Sequence, residues 1–215
     1  MFQAVAYARV ILCKLCDFVY HASTSNVCQN APARLQYCEE EEDARLLPPS
    51  MWWNDVRAQL GSFLTSPASL VEDGLWLGSA LNAHDKAFLR RARVRAVVNL
   101  SREVPNLCLP RVTHCQYALR DEVGCQLPLR WLVRFIHAQR RAGRVVLVHC
   151  FIGRSRSVAV VCAYLMAYRG YSFRQAYAHV ARVRPMACLN QDLARQLRQA
   201  EAEAEEGHFL RLKES

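Results

Sequence analysis

Within nine residues, His149-Cys150-Phe151-Ile152-Gly153-Arg154-Ser155-Arg156-Ser157, the chain gathers a thiol, two guanidiniums and two hydroxyls. The apolar run Val145 to Val148 leads into this stretch, and the apolar-rich segment Val158 to Tyr168 follows it. That order reads as strand, tight loop, helix. A short loop opening onto a helix can turn several backbone N–H groups toward one centre, on the positive end of the helix, and so forms an anion cradle. A thiol placed there ionises easily. A nucleophile held against a phosphate-sized anion site implies transfer of a phosphoryl group to cysteine.

The spacing alone decides little. Cys28 and Arg34 stand equally far apart, but their loop carries Asn30 and Pro32, has no glycine and follows no apolar strand. That pair is read as chance. At Cys150 the context agrees instead: the strand precedes it, Gly153 permits an unusual backbone angle, and Ser155 and Ser157 flank Arg156. The competing reading, a buried structural cysteine beside a surface arginine, leaves that context unexplained.

The elements needed to hold such a loop can be read around it. Leu75 to Leu77, Val94 to Leu100, Thr113 to Leu119 and Val145 to Val148 read as strands, with a helix from about Ala83 to Arg91 between the first two. Apolar residues at helical spacing run from Leu127 to Arg141, and Gly143 ends them. Gly170 closes the helix after the loop. Ser172 and Gln175 form a capping box for a helix to about Val183, and Asn190 caps a last helix to about Glu206. The alternation predicts an α/β fold: a central, mostly parallel sheet flanked by helices, with the Cys-x5-Arg loop between a strand and a helix. The site then lies at the carboxyl ends of the strands.

His149-Cys150-x5-Arg156-Ser157 resembles the signature of cysteine-dependent protein tyrosine phosphatases. The ending Gly153 to Ser157 resembles the small, atypical dual-specificity branch. Gly74-Leu75-Trp76-Leu77-Gly78-Ser79-Ala80, Val97-Val98-Asn99-Leu100-Ser101, Ala163-Tyr164-Leu165-Met166 with Arg169-Gly170, and Arg184-Pro185 with Asn190 also match that branch. The resemblance covers about residues 68 to 206 and not the first 67.

A thiol with a pKa near ~8.5 is only slightly ionised at neutral pH. The loop amides, the helix terminus and Arg156 all favour the thiolate, so Cys150 is the candidate nucleophile. Arg156 can hold two phosphoryl oxygens as a bidentate fork, which lysine could not match. The backbone of Phe151, Ile152, Gly153, Arg154, Ser155 and Arg156 supplies the rest of the substrate-binding ring. Ser157 could donate a hydrogen bond to the thiolate when cysteine leaves. His149 is expected to fix the loop rather than carry protons, with Asn190 also supporting. The resemblance places the family's general acid at Asp121, on a loop after Thr113 to Leu119, with Glu122 as its competitor. The same carboxyl would then activate the hydrolytic water. Three positions depart from the pattern: Phe151 and Ile152 are expected to make the mouth more apolar, and Leu189 stands where relatives usually carry proline.

Composition bounds the rest. The chain has 215 residues, ten cysteines and a net charge of +9. Residues 1–67 balance to −2 and residues 68–215 to +11, and a basic domain suits acidic, phosphorylated partners. Arginines at helix ends and turns without interleaved aromatics argue against nucleic acid, and there is no long uncharged apolar run. The start lacks the order of a signal peptide. Cysteine chemistry needs a reducing compartment, so the cysteines are read mostly as free thiols and the location as the cytoplasm, with the nucleus also open. Cys162 and Cys125 are the candidates to protect an oxidised Cys150.

Three parts are expected: an N-terminal extension over 1–67, partly disordered or docking; the domain over 68–206; and a tail over 207–215. Cys13-x2-Cys16, with His21, Cys28 and Cys38 nearby, could in principle bind zinc, but the later spacings fit no zinc module, so unpaired thiols are the favoured reading. Glu39 to Asp43 reads as a solvated linker, and Met51 to Phe63 as an amphipathic helix packed on the domain or a partner. No cofactor or metal is required, because Arg156 and the amides supply the positive field.

The function implied is hydrolysis of phosphotyrosine and phosphoserine or phosphothreonine in a phosphorylated protein substrate. The alternative is a weakly active or inactive module that binds phosphorylated partners, and retention of both Cys150 and Asp121 weighs against it. A sulfur-transfer or arsenate-reducing enzyme would leave Asp121 without a task. Oligomeric state is not readable from the chain.

Overall fold

The computed structural model describes residues 65–107, 109–119, 124 and 126–205. The zinc question, the helix expected over Met51 to Phe63, Cys125, both domain boundaries' outer segments, and the candidate acid Asp121 with Glu122 lie outside the described residues.

Five strands and six helices are present among the described residues. In chain order they are β1 Ser69–Glu72, β2 Leu75–Gly78, α1 Ala80–His84, α2 Lys86–Arg91, β3 Val94–Ser101 and β4 Thr113–Leu119. They continue with α3 Leu129–Arg141, β5 Val145–His149, α4 Arg156–Arg169, α5 Phe173–Val183 and α6 Gln191–Glu205. The sheet order is β1-β2-β5-β3-β4. All neighbours from β2 to β4 run parallel, and β1 joins β2 antiparallel. A mostly parallel sheet flanked by helices is therefore what forms.

The central strand β5 shows why. Val146, Leu147 and Val148 are all fully buried, as a strand covered on both faces requires. Leu147 faces the layer of α1 and α2, packing with Ala83, Leu89, Val94 and Val97. Its neighbours face the other way, beneath α4. Helix α4 is buried on every side from Arg156 to Leu165, which accounts for its unbroken apolar sequence. It packs against α3, α5 and α6 as well as the sheet.

Two elements differ from expectation. The helix expected from Ala83 to Arg91 is two short helices divided at Asp85. The Asp85 side chain accepts from the N–H groups of Ala87 and Phe88 at 2.9 and 3.0 Å, so this residue caps a new helix instead of continuing the old one. Strand β1 was not anticipated: it is short, half-exposed and adds at the sheet edge. The terminators behave as read. Gly170 closes α4 at φ 65°, Ser172 and Gln175 form the capping box of α5, and the Asn190 side chain accepts from Leu193 N–H at 2.8 Å.

Candidate active site

Strand β5 ends at His149 with its neighbours in register: His149 lies beside Gly78 of β2 and Asn99 of β3. Cys150 thus leaves the sheet at its carboxyl edge, and α4 begins six residues later at Arg156.

The loop between them is gripped by its carbonyls. Cys150 O meets His149 Nδ1 at 3.2 Å. Phe151 O accepts from Ala80 N–H at 2.9 Å, and Arg154 O from Cys188 N–H at 2.9 Å. Ile152 O and Gly153 O both accept from the Arg184 guanidinium. Five consecutive carbonyls are therefore bonded to surrounding groups. In a trans peptide the next N–H points opposite to the carbonyl, so the amides that follow are turned to the inside of the ring. That is an anion nest, with the thiol among its members: Gly153 N–H donates to Cys150 Sγ at 3.2 Å, and Ser157 Oγ lies 3.3 Å from the sulfur.

Gly153 is required twice. Its φ is 78°, and a β-carbon would fall 2.4 Å from Gly78 O and 2.6 Å from Arg184 Nη2. Ser155, at the start of α4, has its hydroxyl engaged by Asn190 N–H at 3.3 Å, so Asn190 braces the loop by its backbone while capping α6 with its side chain.

Arg156 is 2 % exposed. Its guanidinium donates to Leu119 O at 2.6 Å and makes a two-pronged contact with Glu103, at 3.1 and 3.3 Å. Glu103 was not anticipated. The signal available was its place just past the carboxyl end of β3, where ligands of parallel sheets gather. Buried Asn99 bends that segment, donating to Val104 O at 2.7 Å and accepting from Ser101 Oγ at 2.8 Å. Arg184 stands in the sequence only as part of the Arg184-Pro185 motif, and no pattern in its neighbourhood announces its burial against the loop.

His149 is fully buried, and burial pushes it down to about 4, so the imidazole is neutral near neutral pH. Phe151 is 5 % exposed and packs inward. The expected apolar mouth is corrected accordingly: loop residues have no periodicity to set side-chain direction, and only Ile152 of the pair keeps appreciable exposure. Leu189 is buried in the core. Among the described residues, Cys115, Cys150, Cys162 and Cys188 form no disulfide with one another. Burial pushes the Cys162 thiol strongly upward, which disfavours the thiolate needed to pair with an oxidised Cys150.

A parallel sheet that presents a thiol inside a ring of amides, with arginine and serine opening the next helix, defines a cysteine-dependent phosphatase scaffold. The sequence matches the family model "dual specificity phosphatase, catalytic domain" over residues 75–203, and the chain belongs to that family. Its members are protein phosphatases that work through a phosphocysteine intermediate. Among its relatives is human protein phosphatase Slingshot homolog 3, 42 % identical over 132 residues, which cover 60 % of this chain and 20 % of the relative. Human dual specificity phosphatase 28 is 38 % identical over 137 residues, covering 63 % of this chain and 78 % of the relative. Its crystal structure superposes with a TM-score of 0.62 at 36 % identity, covering 65 % and 95 % of the two chains. A mouse putative dual specificity phosphatase, solved with zinc tungstate, gives 0.62 at 34 % identity, covering 67 % and 93 %. The chain spans about a fifth of the length of the Slingshot relatives it matches.

Proposed function

We propose that this chain is a cysteine-dependent protein phosphatase, hydrolysing phosphotyrosine and phosphoserine or phosphothreonine esters. The observation that carries the reading is the loop itself, whose carbonyls are all held outward around a thiol that sits 3.3 Å from a serine hydroxyl. Family membership and the mouse relative's complex with tungstate, a tetrahedral oxyanion like phosphate, support it.

In the first step the Cys150 thiolate attacks phosphorus, the ester P–O bond breaks, and the leaving oxygen takes a proton from Asp121. In the second, water attacks phosphorus while Asp121 takes its proton, the S–P bond breaks, and the thiolate returns. The inward amides hold the three phosphoryl oxygens throughout, a fixed set of dipoles that costs no reorganisation. Arg156 joins them as a fork, already aligned by Glu103. Ser157 donates to the departing thiolate. The matched domain, residues 75–203, is short, and a shallow cradle would accept short and long phosphorylated side chains alike. The substrate is a phosphorylated protein, and the working compartment a reducing one, the cytoplasm or the nucleus.

Phosphate release from an aryl phosphate under reducing conditions tests the reading, with wild type, Cys150→Ser and Asp121→Asn compared. Turnover by wild type, none by Cys150→Ser and strong slowing in Asp121→Asn are expected. A folded wild type as inactive as Cys150→Ser, yet still binding vanadate, would instead make the chain a phosphate-binding module.

A further inference from the structure

The site holds two buried guanidiniums, and they are balanced differently. Arg156 is paired with Glu103 through both oxygens, so its charge is met by a carboxylate before any ligand arrives. Arg184 is equally buried, at 2 % exposure, and its hydrogen-bond partners are all neutral: Ile152 O, Gly153 O, Pro67 O and Ser69 Oγ. Among the described residues no carboxylate pairs with it. Removing a cation from water without an anion is costly, and neutral dipoles offset only part of that. The ionisable group whose charge acts on Arg184 belongs to the loop that Arg184 clasps.

We infer that Arg184 is a positioning residue with two linked tasks: it locks Ile152 and Gly153 so that their following amides face the thiol, and it supplies the buried positive charge that an ionised Cys150 or a bound phosphoryl group balances. The inference rests on the phosphatase reading of the loop. Its first task follows from geometry. One planar guanidinium reaches two successive loop carbonyls and, on its other side, the approach to β1, so loop and sheet edge are fixed to one another. Gly153 packs directly on it, since a β-carbon there would meet Arg184 Nη2 at 2.6 Å. The second task follows from the missing counter-charge, and Cys150 is the one group whose charge acts favourably on Arg184. A lysine could keep the charge but not the planar fork.

The other charged or titratable groups around the thiol are Arg154 in the loop, Arg156 and Glu103 opposed to each other, neutral His149, and His84 and His114 on α1 and β4, which act on His149. Asp121 lies outside the described residues. Replacing Arg184 removes both its charge and its hold on the Ile152 and Gly153 carbonyls, so the lysine variant, which keeps the charge without the planar fork, is what separates the two tasks.

The experiment measures the pH dependence of Cys150 alkylation by iodoacetamide, together with kcat and KM on an aryl phosphate, for wild type, Arg184→Met, Arg184→Lys and Arg156→Met. Near-ultraviolet circular dichroism checks folding. In Arg184→Met the alkylation midpoint rises by about one pH unit and kcat/KM falls about 100-fold. Arg184→Lys keeps the midpoint near that of wild type but loses kcat. Arg156→Met loses kcat/KM with a smaller change in midpoint, because Glu103 already offsets that arginine. An unchanged midpoint in folded Arg184→Met overturns the inference. So does a lysine variant with wild-type kcat, which stands as the deciding measurement if the methionine variant does not fold. A low midpoint that depends on Arg184, in a wild type that never releases phosphate, would retain the inference for the loop and remove the phosphatase reading.

Discussion

The two ends of the parallel sheet are both rich in arginine, and they use it in opposite ways. At the carboxyl end Arg156 and Arg184 are buried, held by backbone carbonyls, by Glu103 and by the Ser69 hydroxyl. At the amino end the register sets Val94 beside Val145 and Ala96 beside Thr113. Arg93, Arg95, Arg111 and Arg144 therefore cluster where three strands begin, all exposed. Among the described residues, Arg93, Arg95 and Arg111 make no ion pair. Exposed charges are screened within about 10 Å at ordinary salt, whereas a buried guanidinium acts through a low dielectric. The net charge of +9 thus says little about where the chemistry is. Two desolvated arginines outweigh a larger number in water.

Backbone angles sharpen the contrast. Gly153 at φ 78°, and Arg93 and Arg111 at φ 54° and 63°, share the left-handed region. At the site the angle comes with no room for a β-carbon. At the opposite end the chain tolerates arginine at the same angle, which costs energy but displaces nothing essential.

The largest expected effect is at Gly153. Gly153→Ala must push the loop off the Gly78 carbonyl, and a misplacement approaching 1 Å costs about 100-fold in kcat/KM. Steady-state kinetics on a small aryl phosphate measures it, and a loss below a few-fold would mean the loop tolerates what the geometry forbids.

His149 gives the next effect, in stability. Its folded pKa is about 4 against 6.5 when free, so between these values the unfolded chain binds a proton that the native one does not. Stability is then complete above about pH 6.5, falls as pH drops to about 4, and changes no further from this group below that. The loss is on the order of 3 kcal/mol. Urea unfolding across this window should show a steeper acid slope for wild type than for His149→Gln, and equal slopes would rule the assignment out.

The smallest effect belongs to the exposed end. Arg111→Gly relieves a left-handed side chain and should raise stability by about 0.5–1 kcal/mol, less the added freedom of the unfolded chain, with aryl phosphate turnover unchanged. A large change in kcat there would mean that the two ends are coupled.

What was legible in the sequence was local. Cys150 to Arg156 is contiguous, and the caps at Ser172, Asn190 and Gly170 act within a turn of themselves, so residue order alone exposes them. Glu103 and Arg184 reach the site from 53 and 31 residues away in sequence, and no periodicity or spacing announces such pairs. The division at Asp85 was hidden because an aspartate that caps one helix lies in an otherwise continuous helical pattern. Strand β1 was hidden because four half-exposed edge residues carry almost no alternation. The inward turn of Phe151 depends on loop geometry that composition does not encode.

The grip on the loop also dictates when the site can exist. Its carbonyls are held by Ala80, translated well before Cys150, and by Arg184 and Cys188, translated well after it. Arg184 also reaches back 117 residues to Pro67. A nascent chain that has released Cys150 but not Arg184 has the thiol without the finished cradle. The nucleophile therefore matures only near the end of domain synthesis, and a truncation before Cys188 would silence it while leaving its whole signature intact.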